Sequence, residues 1–176
     1  MKLKLMILGH ARHGKDTVAE ILSEAYGLKF ASSSHAAGKQ IMLPYFKSIG
    51  IEYANFEECY ADRVNHRQAW HEQIKVYNTP DKARLAREIY SVADIYVGIR
   101  CQHELEAIRK EGLYDYSIWV DRSKHLPREA STSNTVTKEM ANYVIDNNGT
   151  VERLQVQARS LYVDLVSLEY AAKGRQ

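Results

Sequence analysis

Two periodicities alternate along the chain and set out its elements. A short apolar run at residues 3–8 is followed by residues 17–26, where Val18, Ile21, Leu22 and Ala25 recur at helical spacing. Residues 28–31 read as a second strand, leading through Ser32, Ser33 and Ser34 into a helical stretch from His35 that should break near Pro44. Asn55 is placed to cap a long helix over residues 57–77. Thr79-Pro80-Asp81 predicts another helix start, with Leu85, Ala86, Ile89 and Tyr90 on its apolar face. Then come strands at 95–99, 116–120 and 143–146, a helix over 103–110 and a closing amphipathic helix over 150–170. Five short apolar strands alternating with helices call for an α/β fold, a five-stranded parallel sheet with helices on both faces. In such sheets ligands bind beyond the carboxyl ends of the strands.

Between the first strand and the first helix stands Gly9-His10-Ala11-Arg12-His13-Gly14-Lys15-Asp16-Thr17. Gly, four residues, then Gly-Lys is the spacing of a phosphate-binding P-loop, whose backbone N–H groups face an anion while the lysine reaches the outer phosphates. The helix behind it would aim its positive end at the same phosphates. All nine residues, Gly9 to Thr17, are therefore candidate phosphate ligands. The residue after the lysine is usually Ser or Thr, whose hydroxyl binds Mg²⁺, but here it is Asp16. Either Asp16, a hard carboxylate ligand, or Thr17 could hold the metal.

Composition narrows the class. The 176 residues suit one domain spanning 1–176, and 45% hydrophobic with 26% charged residues is ordinary for a soluble globular protein. A net charge of +2 is too small to argue for nucleic acid, so phosphate binding must rest on where the arginines sit. No run approaches the roughly 18 apolar residues of a membrane span, and the short N-terminal run reads as a strand and not a signal peptide. Cys59 and Cys101 imply no disulfide framework and fit a reducing cytoplasm. His66, His71 and Cys59 lack zinc-ligand spacing.

The strand ends place Ser32–Ser34, Arg100, Asp121, Arg122, Asn147 and Asn148 around the loop. Arg63 and Arg67, four residues apart, share one face of the expected long helix, with Trp70 a turn further on. Two guanidiniums on one face suit a shared phosphate, and Trp70 could stack on a base. The polar segment after the fourth strand carries Lys124 and Arg128. It has the position of a lid, about 121–137, in which Arg122 and Arg128 would offset charge during phosphoryl transfer. The chain has no Asn-Lys-x-Asp guanine motif, and Gly98-Ile99-Arg100 stands where many ATPases place a metal-holding Asp. Transfer to a second substrate is therefore favoured over plain ATP hydrolysis.

Three stretches carry a family resemblance: Gly9 to Ala19, Asp94-Ile-Tyr-Val-Gly-Ile-Arg100 with Glu104, and Ala141-Asn-Tyr-Val-Ile-Asp-Asn-Asn-Gly149 with the helix after it. The chain resembles the phage deoxynucleoside monophosphate kinase group of P-loop kinases and, more distantly, dephospho-CoA and adenylate kinases. The resemblance implies ATP as donor, Mg²⁺ as cofactor and a nucleotide acceptor held by arginines between a helical region, about 35–93, and a short lid. It places Lys15, Asp16, Arg122 and Arg128 in the chemistry, and Ser33, Lys39, Arg63, Arg67, Trp70 and Arg100 on the acceptor. Asn147, Asn148 and Gly149 would lie near the adenine. Ser32-Ser-Ser-His-Ala-Ala-Gly-Lys39 departs from the acidic residue and lysine that family members often carry there. Related phage kinases phosphorylate the hydroxyl of a hydroxymethylpyrimidine, of the 5-hydroxymethyluracil type, in DNA after flipping the base. That chemistry needs a general base, for which Asp62 and Asp121 are the candidates. A third possibility is a nucleotide-binding module without transfer. The resemblance further implies a cytoplasmic protein (the host's cytoplasm if phage-encoded), monomeric or homodimeric, with DNA as a conceivable substrate and no membrane partner.

Overall fold

The computed structural model describes residues 2–131 and 134–174. Thr132 and Ser133, within the expected lid, lie outside the described residues. Five strands, β1 (Leu5–Leu8), β2 (Phe30–Ser32), β3 (Ile95–Val97), β4 (Tyr116–Asp121) and β5 (Tyr143–Asp146), form one parallel sheet in the order β2-β3-β1-β4-β5. Every pairing is parallel, with Leu5 level with both Ile95 and Tyr116, and Ile118 level with Tyr143. β1 lies at the centre, so its C-terminal end opens into the middle of the sheet's upper edge.

The apolar runs are continuous because both faces are covered. Leu5, Ile7, Val97, Ile118, Val120 and Ile145 pack with α1 (Lys15–Tyr26) and α8 (Val151–Lys173). Their neighbours on the other face, Met6, Leu8, Tyr96 and Trp119, pack with α6 (Arg84–Val92) and α7 (Gln102–Lys110). Between β2 and α6 lies a helical arm: α2 (Ser33–Ala37), a wide π-type turn (Gly38–Met42), α3 (Leu43–Ser48), α4 (Phe56–Ala61) and α5 (Arg67–Tyr77). The arm has its own apolar centre of Met42, Phe46, Cys59 and Trp70. Among the described residues, no helix is long and apolar enough to cross a membrane.

Several boundaries differ from the sequence expectation, each for a local reason. Pairing in β2 begins at Phe30 and not at residue 28, because the Asp94 carboxylate takes the Lys29 N–H at 3.0 Å. The helical path does not break at Pro44. The proline falls in the first turn of α3, where a missing N–H costs nothing. Asn55 does cap a helix, accepting from the Glu58 N–H at 2.9 Å while Glu58 reaches back to the Ala54 N–H. The expected helix over 57–77 is two helices. Asp62 draws in Tyr53 Oη at 2.7 Å, Asn65 Nδ2 at 2.6 Å and the His66 ring at 3.0 Å, and a tight 3₁₀ turn (Asp62–Val64) results. Arg63 and Arg67 consequently belong to different elements and do not share a helix face. Thr79 closes α5 by donating to the Lys75 carbonyl, so it does not open α6, which begins at Arg84.

Candidate active site

Immediately after β1 the backbone turns through a compact loop. Gly9 has φ 143°, and a Cβ there would stand 2.7 Å from the Val120 carbonyl oxygen. Gly14 has φ 92° and is pressed against the side-chain amide of Asn147. Neither position admits a side chain. Between them Arg12 is left-handed at φ 63°, and the loop passes directly into α1 through Lys15. Alternating backbone of this kind, ending at a helix N-terminus, is the concave N–H cradle that binds phosphate.

The loop is braced from outside. Asn147 Nδ2 donates to the His13 carbonyl at 2.9 Å, and the Arg122 N–H donates to His13 Nδ1 at 3.1 Å. His13 is fully buried, edge-on to His10, which in turn stands edge-on to Trp119. Burial, followed by the neighbouring His13, holds the His10 imidazole below its usual pKa. Asn147, expected near the adenine, is thus committed to the phosphate loop. Asn148 ties the two neighbouring strand ends together, accepting from the Lys124 N–H and donating to the Asp121 carbonyl.

Lys15 Nζ bonds to the His10 carbonyl at 2.7 Å, folded over its own loop. Burial, with the Arg100 guanidinium nearby, pulls its ammonium down to about 8. Asp16, beside it in the first turn of α1, lines the cleft with no hydrogen-bond partner among the described residues. Its lone pairs fit a divalent cation. Thr17 does not line the cleft, so Asp16 is the metal candidate the geometry favours. Among the described residues no cluster of three His, Cys, Asp or Glu side chains could hold a metal by itself. Mg²⁺ would therefore depend on Asp16 together with phosphate oxygens and water.

From Lys15 a cleft of about 570 Å³ runs towards the arm. Arg12, Lys15, Arg63, Arg67, Lys75, Lys82 and Arg100 line it, against the carboxyl groups of Asp16 and Glu104. Tyr60, Trp70 and Tyr96 supply aromatic surface, and Ser32, Ser33 and Ser34 supply hydroxyls. Arg63 is held rigidly: its Nη1 donates to Ser34 Oγ at 2.7 Å and to Tyr60 Oη at 2.8 Å, with the guanidinium 4.4 Å from the Tyr60 ring centre. Trp70 is buried, and its Nε1–H has no partner among the described residues.

The remaining expected residues stand elsewhere. Lys39 lies over the Phe56 ring at 5.0 Å and does not line the cleft. Asp62 is absorbed by Tyr53, Asn65 and His66, and Tyr53 first of all keeps its carboxyl below the usual range. Burial would raise the Asp121 carboxyl, but Lys138 at 2.9 Å and Ser123 outweigh it and hold it at about 2. Neither Asp62 nor Asp121 lines the cleft, and neither do Arg122 or Arg128. Arg128 is exposed.

Two carboxyls assigned no role from the sequence stand close by, one against the loop and one in the cleft wall. Glu129 Oε2 accepts from the Ala11 N–H of the loop at 2.7 Å, and its Oε1 pairs with Arg100. Glu104 is buried in the cleft wall, where Asn78 Nδ2 donates to it at 3.1 Å and desolvation raises its pKa. Glu104 sat inside a stretch that carried the family resemblance. For Glu129 no spacing pointed to the loop 118 positions earlier.

No family model matches the chain, and no curated protein does. Among solved structures it is similar to the shikimate kinase of Bacteroides thetaiotaomicron. They share 8% identity over 94% of this chain and 99% of that one, with a TM-score of 0.50. The shikimate kinase of Aquifex aeolicus is similar at 14% identity over 96% and 97%, also with a TM-score of 0.50. Likeness at these identities is one of fold. The five-stranded parallel sheet with helices on both faces and a glycine loop after β1 is the α/β fold that the chain shares with these two structures.

Proposed function

We propose that the chain is an ATP-dependent phosphotransferase that moves the γ-phosphoryl group onto a nucleotide, a deoxynucleoside monophosphate first of all. One observation carries this: the loop that would seat ATP opens without interruption into a cleft dominated by cations and edged by aromatic rings. A protein with net charge +2 has gathered Arg63, Arg67, Lys75, Lys82 and Arg100 into one cavity, which suits an anionic acceptor bearing a flat base.

In this reading the cradle N–H groups and Lys15 hold the β- and γ-phosphates, and α1 adds its N-terminal dipole. Mg²⁺ held at Asp16 would neutralise charge on the phosphates. Arg63, fixed by Ser34 and Tyr60, and Arg67 orient the acceptor phosphate. One of its ionised oxygens attacks the γ-phosphorus in line, the bond to the β-bridging oxygen breaks and ADP departs. No proton need be removed, so the absence of Asp62 and Asp121 from the cleft is no obstacle. Catalysis then consists of positioning and charge stabilisation.

A second reading, transfer to the hydroxyl of a hydroxymethylpyrimidine flipped out of DNA, draws support from Glu104. A carboxyl whose pKa burial raises is a stronger base than an exposed one and is suited to accept a hydroxyl proton. Labelled ATP offered to a panel of deoxynucleoside monophosphates, hydroxymethylated duplex DNA and shikimate tests both. Label on a monophosphate supports the first reading, label on DNA the second, and label on shikimate or on no acceptor overturns both.

A further inference from the structure

The Glu129 carboxylate sits against the loop that follows β1. The Ala11 N–H is one of the cradle donors, and it donates to Oε2 at 2.7 Å, the length of a charge-assisted bond. Oε1 pairs with the Arg100 guanidinium, while Asn134 Nδ2 approaches Oε2 at 3.4 Å. The Glu129 N–H donates to His10 Nδ1 at 3.3 Å, so main chain and side chain of this residue both engage the loop. The Glu129 side chain is only 16% exposed, against 42% for Arg100. This is not a loose surface pair, which would contribute little. Lys15 and Arg100 are close enough to repel, and an anion between them relieves the repulsion.

From this geometry we infer that Glu129 is an internal stand-in for a donor phosphate: it fills the loop's anion seat and occupies Arg100 until a polyphosphate displaces it. The inference rests on the donor-site reading of the loop. A triphosphate brings more negative charge to the same donors, and like-charge repulsion then expels the carboxylate. Arg100 also lines the acceptor cleft. Its release on donor binding makes a guanidinium available to the acceptor only once ATP is in place. That favours an order, donor before acceptor.

Binding of inorganic tripolyphosphate to the full-length protein, measured by calorimetry with a chelator present, tests this. If the seat is filled about nine-tenths of the time, removing the carboxylate should tighten binding about tenfold in Glu129→Ala, with Glu129→Gln in between. An unchanged melting temperature shows that the variants fold. Equal or weaker binding in both, while Lys15→Ala still abolishes binding, overturns the stand-in and leaves the donor site standing. Full binding by Lys15→Ala would instead overturn the donor-site reading itself.

Discussion

The side-chain amide of Asn147 donates to the His13 carbonyl at 2.9 Å, so the end of β5 fixes a loop 134 positions earlier in the chain. Replacing Asn147 with Ala leaves a buried carbonyl unpaired, at a cost of about 1–3 kcal/mol. Asn147→Ala should lower the melting temperature and weaken ATP binding together. Thermal unfolding with and without ATP measures both, and a loss of stability with unchanged ATP affinity would separate the brace from the site.

Lys15 gives a pH dependence of definite sign. With its ammonium lowered to about 8 by burial and by Arg100, against the opposing pull of Asp16 and Glu129, the charged form is lost as pH rises through that value. ATP affinity should fall from pH 7 to pH 9, and binding above pH 8 should take up a proton. Calorimetry in buffers of different ionisation enthalpy reads this uptake. Lys15→Ala should abolish transfer and remove the lysine's share of the pH dependence.

On the acceptor side, Arg63→Ala removes a guanidinium held by Ser34 and Tyr60. Charged hydrogen bonds of about 1.5–3 kcal/mol correspond to a rise of about tenfold to a hundredfold in the acceptor KM. The KM for ATP should change little. A comparable rise in both would place Arg63 on the donor.

The metal assignment is checked by titrating Mg²⁺ against turnover. Asp16→Asn should raise the half-saturating concentration by at least the roughly tenfold that losing even an outer-sphere partner costs. Thr17→Val should leave it nearly unchanged, and the opposite result would transfer the metal to the hydroxyl.

Glu104→Gln distinguishes the two acceptor readings. With a hydroxyl acceptor it should cut turnover by about a hundredfold, the lower end of what a general base contributes. With a monophosphate acceptor, turnover should stay within a few-fold. Asp62→Asn, which alters a carboxylate outside the cleft, should leave turnover unchanged in both cases.

The glycine loop and the sheet were legible because their signals are local. The two glycines, Lys15 and the periodicity of Val18, Ile21 and Leu22 lie within one short stretch, and the sheet followed from apolar runs that both faces bury. The helical arm was not, because side chains there override the backbone pattern. Asp62 captures Asn65 and Tyr53 and splits what periodicity presents as one helix, so Arg63 and Arg67 separate. Glu129 reaches the loop across more than a hundred residues, and no spacing rule registers such a contact. Asp62 and Asp121 were singled out by residue type and place in the chain, which cannot reveal that each carboxylate is already satisfied by its neighbours.

The arm's apolar centre of Met42, Phe46, Cys59 and Trp70 is separate from the two that sandwich the sheet. Substitutions that reshape the arm's inner wall therefore need no compensation beneath the phosphate loop. In a phosphotransferase of the kind proposed, such a scaffold lets one acceptor be traded for another while the phosphate loop is inherited intact.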